Sequence, residues 1–259
     1  MTERYCVYHV PDPLSALYSL GSAALGRCIR SGKALGPPWA EDGEGEFPPH
    51  PAKCAIYGFH ATLVAPFRSL AARSELEEAL EGAASGLEAV PLGRMELKVL
   101  APGFPALAPA AQPGALGDLA AELVRSFSGF RRRAEPGDLA RRGPLTARQR
   151  ELAWKWGYPF VMDEFRYHLT LGDCLRAPGA AGAAEGAPGA TDPRTLSLMG
   201  RLSALLGKEA GSGLAADALC LARQDRAGAP FDILAEYALK PRRKPARPFS
   251  RQFGAEAQK

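Results

Sequence analysis

The sequence contains two copies of one short pattern, His-x-Thr, and each copy lies inside an apolar run. The first is "GFHATL" at residues 58–63, and the second is "YHLTLG" at residues 167–172. With four histidines and six threonines in 259 residues, roughly 0.09 such pairs are expected by chance. Two copies therefore indicate a common role for the two segments.

The spacing of the pattern predicts which side chains point the same way. Alternate residues of a β-strand lie on opposite faces, so each histidine is expected to share a polar face with its threonine. That face must meet water or a ligand, because unpaired buried polar groups are costly. The alternate residues are expected to point into the core: Phe59, Ala61 and Leu63 in the first run, and Tyr167, Leu169 and Leu171 in the second.

Two imidazoles that face each other across a cleft can carry out acid–base chemistry at phosphorus. Imidazole titrates near pH 6.5, so one ring can be neutral and the other protonated at neutral pH. The neutral ring takes a proton from the nucleophile, and the protonated ring gives one to the leaving group. Threonine hydroxyls can donate to the non-bridging phosphate oxygens. We therefore predict His60 and His168 as catalytic, Thr62 and Thr170 as substrate-binding, and neither a metal nor a cofactor.

The order of elements predicts the fold class. Periodicity and turn residues indicate strand, helix, His strand, helix, hairpin, helix, helix, His strand, helix and hairpin. We predict an α+β fold with two lobes related by a pseudo-two-fold axis, each with a small antiparallel sheet flanked by helices, and an active-site cleft between them. We assign residues 1–240 to one bilobal domain and residues 241–259 to a basic tail that is predicted to be disordered.

Particular boundaries follow from turn and capping residues. Ser74 with Glu77 matches a capping box, and Thr146 is predicted to cap a later helix. The two His strands are predicted at residues 55–67 and 166–172, and the first is expected to end at Pro66 or to lie at a sheet edge. The other predicted segments are a strand at Arg4–Val10, a loop at Gly36–Lys53, a hairpin around Pro102–Gly103, a linker at 177–193, and a hairpin formed by 218–224 and 231–239.

Composition and motifs disfavour several classes of protein. The five cysteines form no C-x-x-C pair, which argues against a disulfide framework and a thiolate zinc site. No H-x-H or H-E-x-x-H motif supports a metal hydrolase. The N-terminal residues show no signal-peptide pattern and no apolar run approaches membrane-spanning length, so we expect a cytoplasmic protein without a membrane partner. A net charge of +4 suits an anionic ligand.

The segments "YGFHATL", "ELAWKWGYPFVMDEFRYHLTLG" and "RYCVYHVP" together resemble the two-histidine phosphoesterase superfamily, and more specifically its bacterial branch of phosphonate-metabolism proteins long labelled as of unknown function. The resemblance spans Arg4 to about Leu239. It implies a bilobal α+β fold and phosphodiester chemistry, commonly hydrolysis of cyclic phosphodiesters. In RNA ligase-like relatives it implies making or breaking of 2′,5′ bonds. It implies the two histidines and two threonines as the active-site set, and it leaves open which histidine is the acid.

One position departs from the family pattern, and two arginines are further candidates. Val64 stands where this family would have a lysine, and by strand parity it is expected on the catalytic face, which would lack that charge. Arg68 and Arg166 are predicted as substrate-binding residues on the same parity. For Arg166, a surface position paired with Asp163 or Glu164 is an equal alternative.

The sequence leaves the substrate open. One alternative is a small phosphorylated substrate such as a phosphoribosyl or nucleotide cyclic phosphate. A second is an RNA end, processed by a 2′,5′-ligase-like enzyme, with basic segments as phosphate contacts. A third is a non-catalytic protein that binds phosphate or a nucleotide. His9 and His50 lack a threonine partner and are expected to be structural, and the oligomeric state is left open.

Overall fold

The computed structural model describes residues 3–36, 52–100, 103–133, 144–173, 199–200, 202–204 and 213–242. The linker predicted at 177–193 and most of the loop predicted at Gly36–Lys53 lie outside the described residues. The basic tail that we predicted lies outside them from residue 243 onward.

The described residues form nine strands and a set of helices in mixed order. The strands are β1 (Arg4–His9), β2 (Ala61–Phe67), β3 (Val90–Pro91), β4 (Met95–Leu100), β5 (Phe104–Pro109), β6 (Leu169–Thr170), β7 (Ala215–Ala216), β8 (Ala218–Gln224) and β9 (Asp232–Ala238). The helices are α1 (Ala16–Leu25), α2 (Ala52–Ala55), α3 (Arg73–Gly86), α4 (Gly114–Phe127) and a fifth at Ala147–Trp156, with single 3-10 turns at Ser128–Phe130 and Met162–Glu164. Within the described ranges, no helix has the length and apolar character needed to cross a membrane.

The strands form two main antiparallel sheets, which confirms the predicted α+β class. One sheet has the order β2-β1-β8-β9, the other has the order β4-β5-β6, and β3 pairs with β7. A single apolar core of buried side chains runs through both main sheets. The pseudo-two-fold relation of two lobes stays a prediction.

The two His-x-Thr strands occupy edge positions, and their sheets are completed from the opposite half of the chain. The hairpin β4–β5 follows the first motif but pairs with β6 of the second motif. The hairpin β8–β9 follows the second motif but joins β1 and β2. The edge position of β2 explains how it contains Pro66, which has no backbone N–H to donate.

A β-bulge in β2 changes which way its side chains point. Tyr8 pairs with Thr62, whereas the preceding Val7 pairs with Val64, so Leu63 is an extra residue in β2. Leu63 and Val64 are both buried. Val64 therefore faces the core side, opposite to Thr62, and the prediction that it lies on the catalytic face was wrong because the bulge breaks the period of two.

Both His strands are shorter than predicted, and each histidine precedes its strand by one residue. The first strand begins at Ala61 because residues 52–55 form α2 and Gly58 turns the chain with a φ of 69°. The end of the predicted loop, at Lys53, is therefore helical. The second strand has only two residues, Leu169 and Thr170.

The helix ends follow local hydrogen bonding, with one correction. Thr146 caps its helix as predicted, since its hydroxyl accepts from the Gln149 amide. The helix α3 begins two residues earlier than the Ser74 cap predicts, and Ala72 occupies the N-cap position. Alanine has no side-chain acceptor, so only the reciprocal bond forms, in which the Glu75 carboxylate accepts from the Ala72 amide at 2.7 Å.

Candidate active site

His60 is held by hydrogen bonds at both ring nitrogens. Its Nδ1 lies 2.8 Å from the carbonyl oxygen of Gly58, and its Nε2 lies 3.1 Å from Oγ1 of Thr62. A carbonyl oxygen only accepts, so Nδ1 carries the proton and Nε2 accepts from the Thr62 hydroxyl. His60 and Thr62 therefore lie on one face, as the spacing predicts.

The plane of the His60 ring is set by an aromatic stack. The ring of Tyr8 lies against it with centroids 3.7 Å apart and an angle of 29° between the planes. Tyr8 is only 1% exposed and packs in turn on Phe231. A buried aromatic neighbour in this position restricts rotation of the imidazole and keeps Nε2 directed towards Thr62.

His168 repeats the backbone contact of the first histidine. Its Nδ1 lies 2.9 Å from the carbonyl oxygen of Arg166, again two residues earlier in the chain. The ring centroid of Phe104 is 5.7 Å from that of His168. In both motifs the Nδ1–H bond to the chain fixes the tautomer and reserves Nε2 for the proton that chemistry requires.

One cavity brings together His60 and Thr62 of the first motif and Thr170 of the second, whereas His168 is not among its described lining residues. It measures about 260 Å³, and the described residues that line it are Leu25, Cys54, Tyr57, Gly58, His60, Thr62, Phe104 and Thr170. None of these carries a carboxylate, an ammonium or a guanidinium group. A larger groove of about 720 Å³ lies beside the start of α4 and contains neither motif. In the described part of the chain, no three His, Cys, Asp or Glu residues are grouped so as to hold a metal ion.

The two predicted arginines do not reach this cavity. Arg68 is exposed and follows the last residue of β2, at the opposite end of that strand from His60. Arg166 is exposed and donates from Nη1 to the carbonyl oxygens of Asp163 and Phe165, at 2.8 and 2.7 Å. Its exposed position agrees with the surface alternative, but its partner is the Asp163 carbonyl, whereas the Asp163 carboxylate accepts from Arg148.

Burial controls the protonation of both imidazoles. Burial, which the bond to the Gly58 carbonyl opposes, together with a smaller effect of nearby His168, lowers the pKa of His60 to about 4. Burial also lowers the pKa of His168, although the bond to the Arg166 carbonyl opposes this. Both rings are therefore neutral at pH 7 without ligand, which differs from the expectation of one protonated ring.

We expect the depressed pKa of His60 to make stability depend on pH. Below pH 6.5 the unfolded chain binds a proton at His60, whereas the folded protein does not until about pH 4. Above pH 6.5, protonation of His60 therefore does not reduce the free energy of unfolding. As the pH falls from 6.5 towards 4, this free energy decreases by up to about 1.4 kcal/mol per pH unit. Urea unfolding at pH 6.0 and 4.5 should show a smaller loss for His60→Gln than for the unchanged protein. Equal losses would contradict the assigned shift.

Sequence reasoning missed several residues of the site. Gly58 was visible within the first motif, but its left-handed turn and its carbonyl contact were not. Tyr8 and Phe104 reach the two imidazoles from other strands. No local pattern marks them, because strand pairing over long stretches of chain brings them there.

Comparisons with known proteins place the chain among several relatives. The family model described as "Protein of unknown function (DUF1045)" matches residues 62–232. Two curated proteins named ribose 1,5-bisphosphate phosphokinase PhnN are similar. The one from Laribacter hongkongensis is 34% identical over 171 residues, which is 65% of this chain and 39% of that protein. The one from Janthinobacterium sp. (strain Marseille) is 30% identical over 240 residues, 88% of this chain and 49% of that protein.

The chain thus spans less than half the length of either curated relative. Two crystal structures of LigT from E. coli are also similar over 92% of this chain and 98% of theirs. The complex with 3′-AMP is 15% identical with a TM-score of 0.37, and the apo form is 14% identical with a TM-score of 0.40. Neither likeness is close enough to establish a function.

Proposed function

The chain belongs to the DUF1045 family of proteins of unknown function, and we propose that it is a metal-independent phosphoesterase that opens a cyclic phosphodiester with His60 and His168 as acid and base. This family agrees with the sequence resemblance to a branch of unknown function. One observation carries the proposal. Each imidazole is anchored through Nδ1 to the carbonyl two residues before it, which leaves Nε2 for proton transfer.

The threonines supply the phosphate contacts in this proposal. Thr62 and Thr170 line the same cavity as His60. Without ligand, the Thr62 hydroxyl donates to His60 Nε2. When a phosphate enters, that hydroxyl turns to a non-bridging oxygen, which frees Nε2 to accept a proton. Hydroxyl donors of this kind stabilise the negative charge that grows on the phosphate oxygens in the transition state.

The charge of the cavity favours a diester over a phosphomonoester. The described lining contains no lysine or arginine side chain, and the predicted arginines lie elsewhere. A phosphodiester carries one negative charge near pH 7, and one protonated imidazole balances it. A monoester dianion would bring a second charge without a fixed partner, and an unpaired charge in a partly buried site is costly.

The reaction balances with the groups present. One imidazole removes a proton from water as the water oxygen attacks phosphorus. The bond from phosphorus to one ring oxygen breaks, and the other imidazole donates its proton to that oxygen, which gives a phosphomonoester and a free hydroxyl. Because both rings are neutral without ligand, the acid proton must be taken up with the anion, whose charge raises the imidazole pKa.

The size of the cavity bears on the substrate. At about 260 Å³ it is smaller than the usual range for drug-sized ligands. A pentose cyclic phosphate is a better match than a nucleic-acid segment, whose remaining nucleotides would lie outside. The curated relatives are named for a ribose bisphosphate kinase, which is a further reason to test a phosphoribosyl cyclic phosphate, whose separate 5-phosphate dianion would have to lie outside the cavity, in solvent.

A turnover assay tests this proposal. The protein would be incubated with EDTA and nucleoside 2′,3′-cyclic monophosphates, phosphoribosyl 1,2-cyclic phosphate, or an RNA that ends in a cyclic phosphate. We expect phosphorus NMR to show ring opening that EDTA does not suppress, fastest for a small cyclic phosphate. Opening of the RNA end alone would favour the RNA-processing alternative. Tight binding with no turnover of any member would favour the non-catalytic alternative and contradict the proposal.

A further inference from the structure

Two adjacent residues at the end of β1 contact both halves of the candidate active site. Tyr8 stacks on His60. His9, the next residue, has its Nδ1 2.6 Å from the hydroxyl of Tyr167, which directly precedes His168. His9 is expected from the sequence to be structural, because it lacks a threonine partner.

His9 is a buried histidine between two polar groups, the buried hydroxyl of Tyr167 and the exposed carboxylate of Asp217. It is 1% exposed, and Tyr167 is 2% exposed. On the other side of the His9 ring, Nε2 lies 3.5 Å from a carboxylate oxygen of Asp217, and the contact with His9 lowers the pKa of that carboxyl. His9 Nε2 makes no hydrogen bond at this distance, but the nearby negative charge favours a proton on Nε2, and Nδ1 then accepts from the Tyr167 hydroxyl.

The backbone around His168 needs such support because it lies outside the strand ladder. The strand β6 comprises only Leu169 and Thr170. The preceding segment is held by the side chain of Gln112, whose Oε1 accepts from the Tyr167 amide at 2.7 Å and whose Nε2 donates to the Phe165 carbonyl at 3.1 Å. Gln112 belongs to the turn after β5, so it ties this segment to its own sheet. His9 ties the same segment to the other sheet.

We propose that the chain Asp217–His9–Tyr167 is a positioning element that sets the place of His168 relative to His60. This inference rests on the proposed function of the two histidines. Two neighbouring residues of β1 then set the positions of both imidazoles. Tyr8 stacks on His60, and His9 holds Tyr167, the residue before His168. A shift of about 1 Å in such a pair can reduce turnover about 10²-fold.

The chemistry of the contact supports positioning over stability. A phenylalanine in place of Tyr167 would fill nearly the same space without a hydroxyl that must be desolvated. A typical internal hydrogen bond adds little net stability, because water partners are given up to form it. The hydroxyl instead fixes the position of the Tyr167 side chain, because its hydrogen bond holds the end of the ring at Nδ1 of His9.

The test compares two tyrosines whose rings are buried and whose hydroxyls have different partners. Tyr167→Phe removes the hydroxyl that contacts His9, and Tyr5→Phe removes a hydroxyl at the far end of β1, near Glu3. In the Tyr167 variant we expect kcat for cyclic phosphate opening to fall about 10- to 100-fold with KM within about two-fold. In the Tyr5 variant we expect both parameters to stay within about two-fold. Equal kcat in the two variants would overturn the proposal.

A second readout does not depend on turnover. Nitrogen NMR of the imidazoles should show His168 as a single Nδ1–H tautomer in the unchanged protein and as a mixture in Tyr167→Phe, with the His60 signals retained. An unchanged His168 signal would overturn the positioning role, even if no substrate were turned over. Failure of turnover in the unchanged protein with this tautomer shift present would instead count against the proposed function alone.

A double variant tests whether the groups act as one unit. His9→Leu should lower kcat to an extent similar to Tyr167→Phe, and the two together should lower it no further. Additive losses would contradict a shared path through His9. Thermal unfolding of each variant identifies any that fails to fold, and the Tyr167→Phe result then decides the question.

Discussion

Replacement of His60 or His168 by alanine is expected to lower kcat for cyclic phosphate opening about 10²- to 10⁴-fold in each case. Each variant loses one proton-transfer group, and the hydroxyls of Thr62 and Thr170 remain. Because one ring acts as base and the other as acid in the same step, the double variant should lose little more than the worse single variant. Phosphorus NMR measures the rate of ring opening for the two single variants and the double variant.

The pH profile distinguishes a catalytic role from a binding role in these variants. The unchanged protein should show a bell-shaped kcat, with one limb for each imidazole in the complex. Each single variant should lose one limb. Binding of dimethyl phosphate, a monoanionic diester without a strained ring, followed in parallel, should weaken far less than kcat falls. If a variant keeps more than about a tenth of the original kcat, the histidine that it replaces does not transfer a proton in the reaction.

The parts of the fold that depend on short-range pattern followed from the sequence. The hairpin β4–β5 and the hairpin β8–β9 were both predicted, since each has alternating strands around turn residues. The Thr146 cap was likewise local. What the sequence did not reveal was the exchange of hairpins between halves, because pairing of β5 with β6 depends on the tertiary fold and leaves no periodicity in the chain.

In the candidate site too, local features were predictable from the sequence and features that depend on tertiary structure were not. The shared face of His60 and Thr62 was predictable because it needs only the strand period. The orientation of Val64 was not, because one extra residue in β2 reverses the period beyond it. The two predicted arginines do not line the cavity, and the reason is related. Strand parity gives a face but not a distance, and Arg68 lies at the far end of its strand.

Gly58 connects the stability of the fold to the active site. It has a φ of 69°, a left-handed conformation that side chains with a Cβ adopt at a cost of about 1–2 kcal/mol. A Cβ on Gly58 would lie 2.5 Å from the Cβ of Ile29, which is itself buried. Gly32 has a similar φ of 71°, but the nearest atom to its added Cβ is a flexible Arg27 nitrogen at 3.9 Å. Substitution at Gly32 therefore tests backbone strain alone, whereas substitution at Gly58 tests backbone strain together with steric crowding.

Gly58→Ala is expected to lower the free energy of unfolding by about 2–5 kcal/mol, the sum of the left-handed cost and about 1–3 kcal/mol for overpacking. Gly32→Ala should lose only the first part, about 1–2 kcal/mol. Urea unfolding measures both. The Gly58 carbonyl also holds Nδ1 of His60, so kcat should fall in Gly58→Ala and stay unchanged in Gly32→Ala under conditions where both are folded. Equal destabilisation would mean that Ile29 yields to the added methyl group. An unchanged kcat in folded Gly58→Ala would mean that the Gly58 carbonyl does not orient His60.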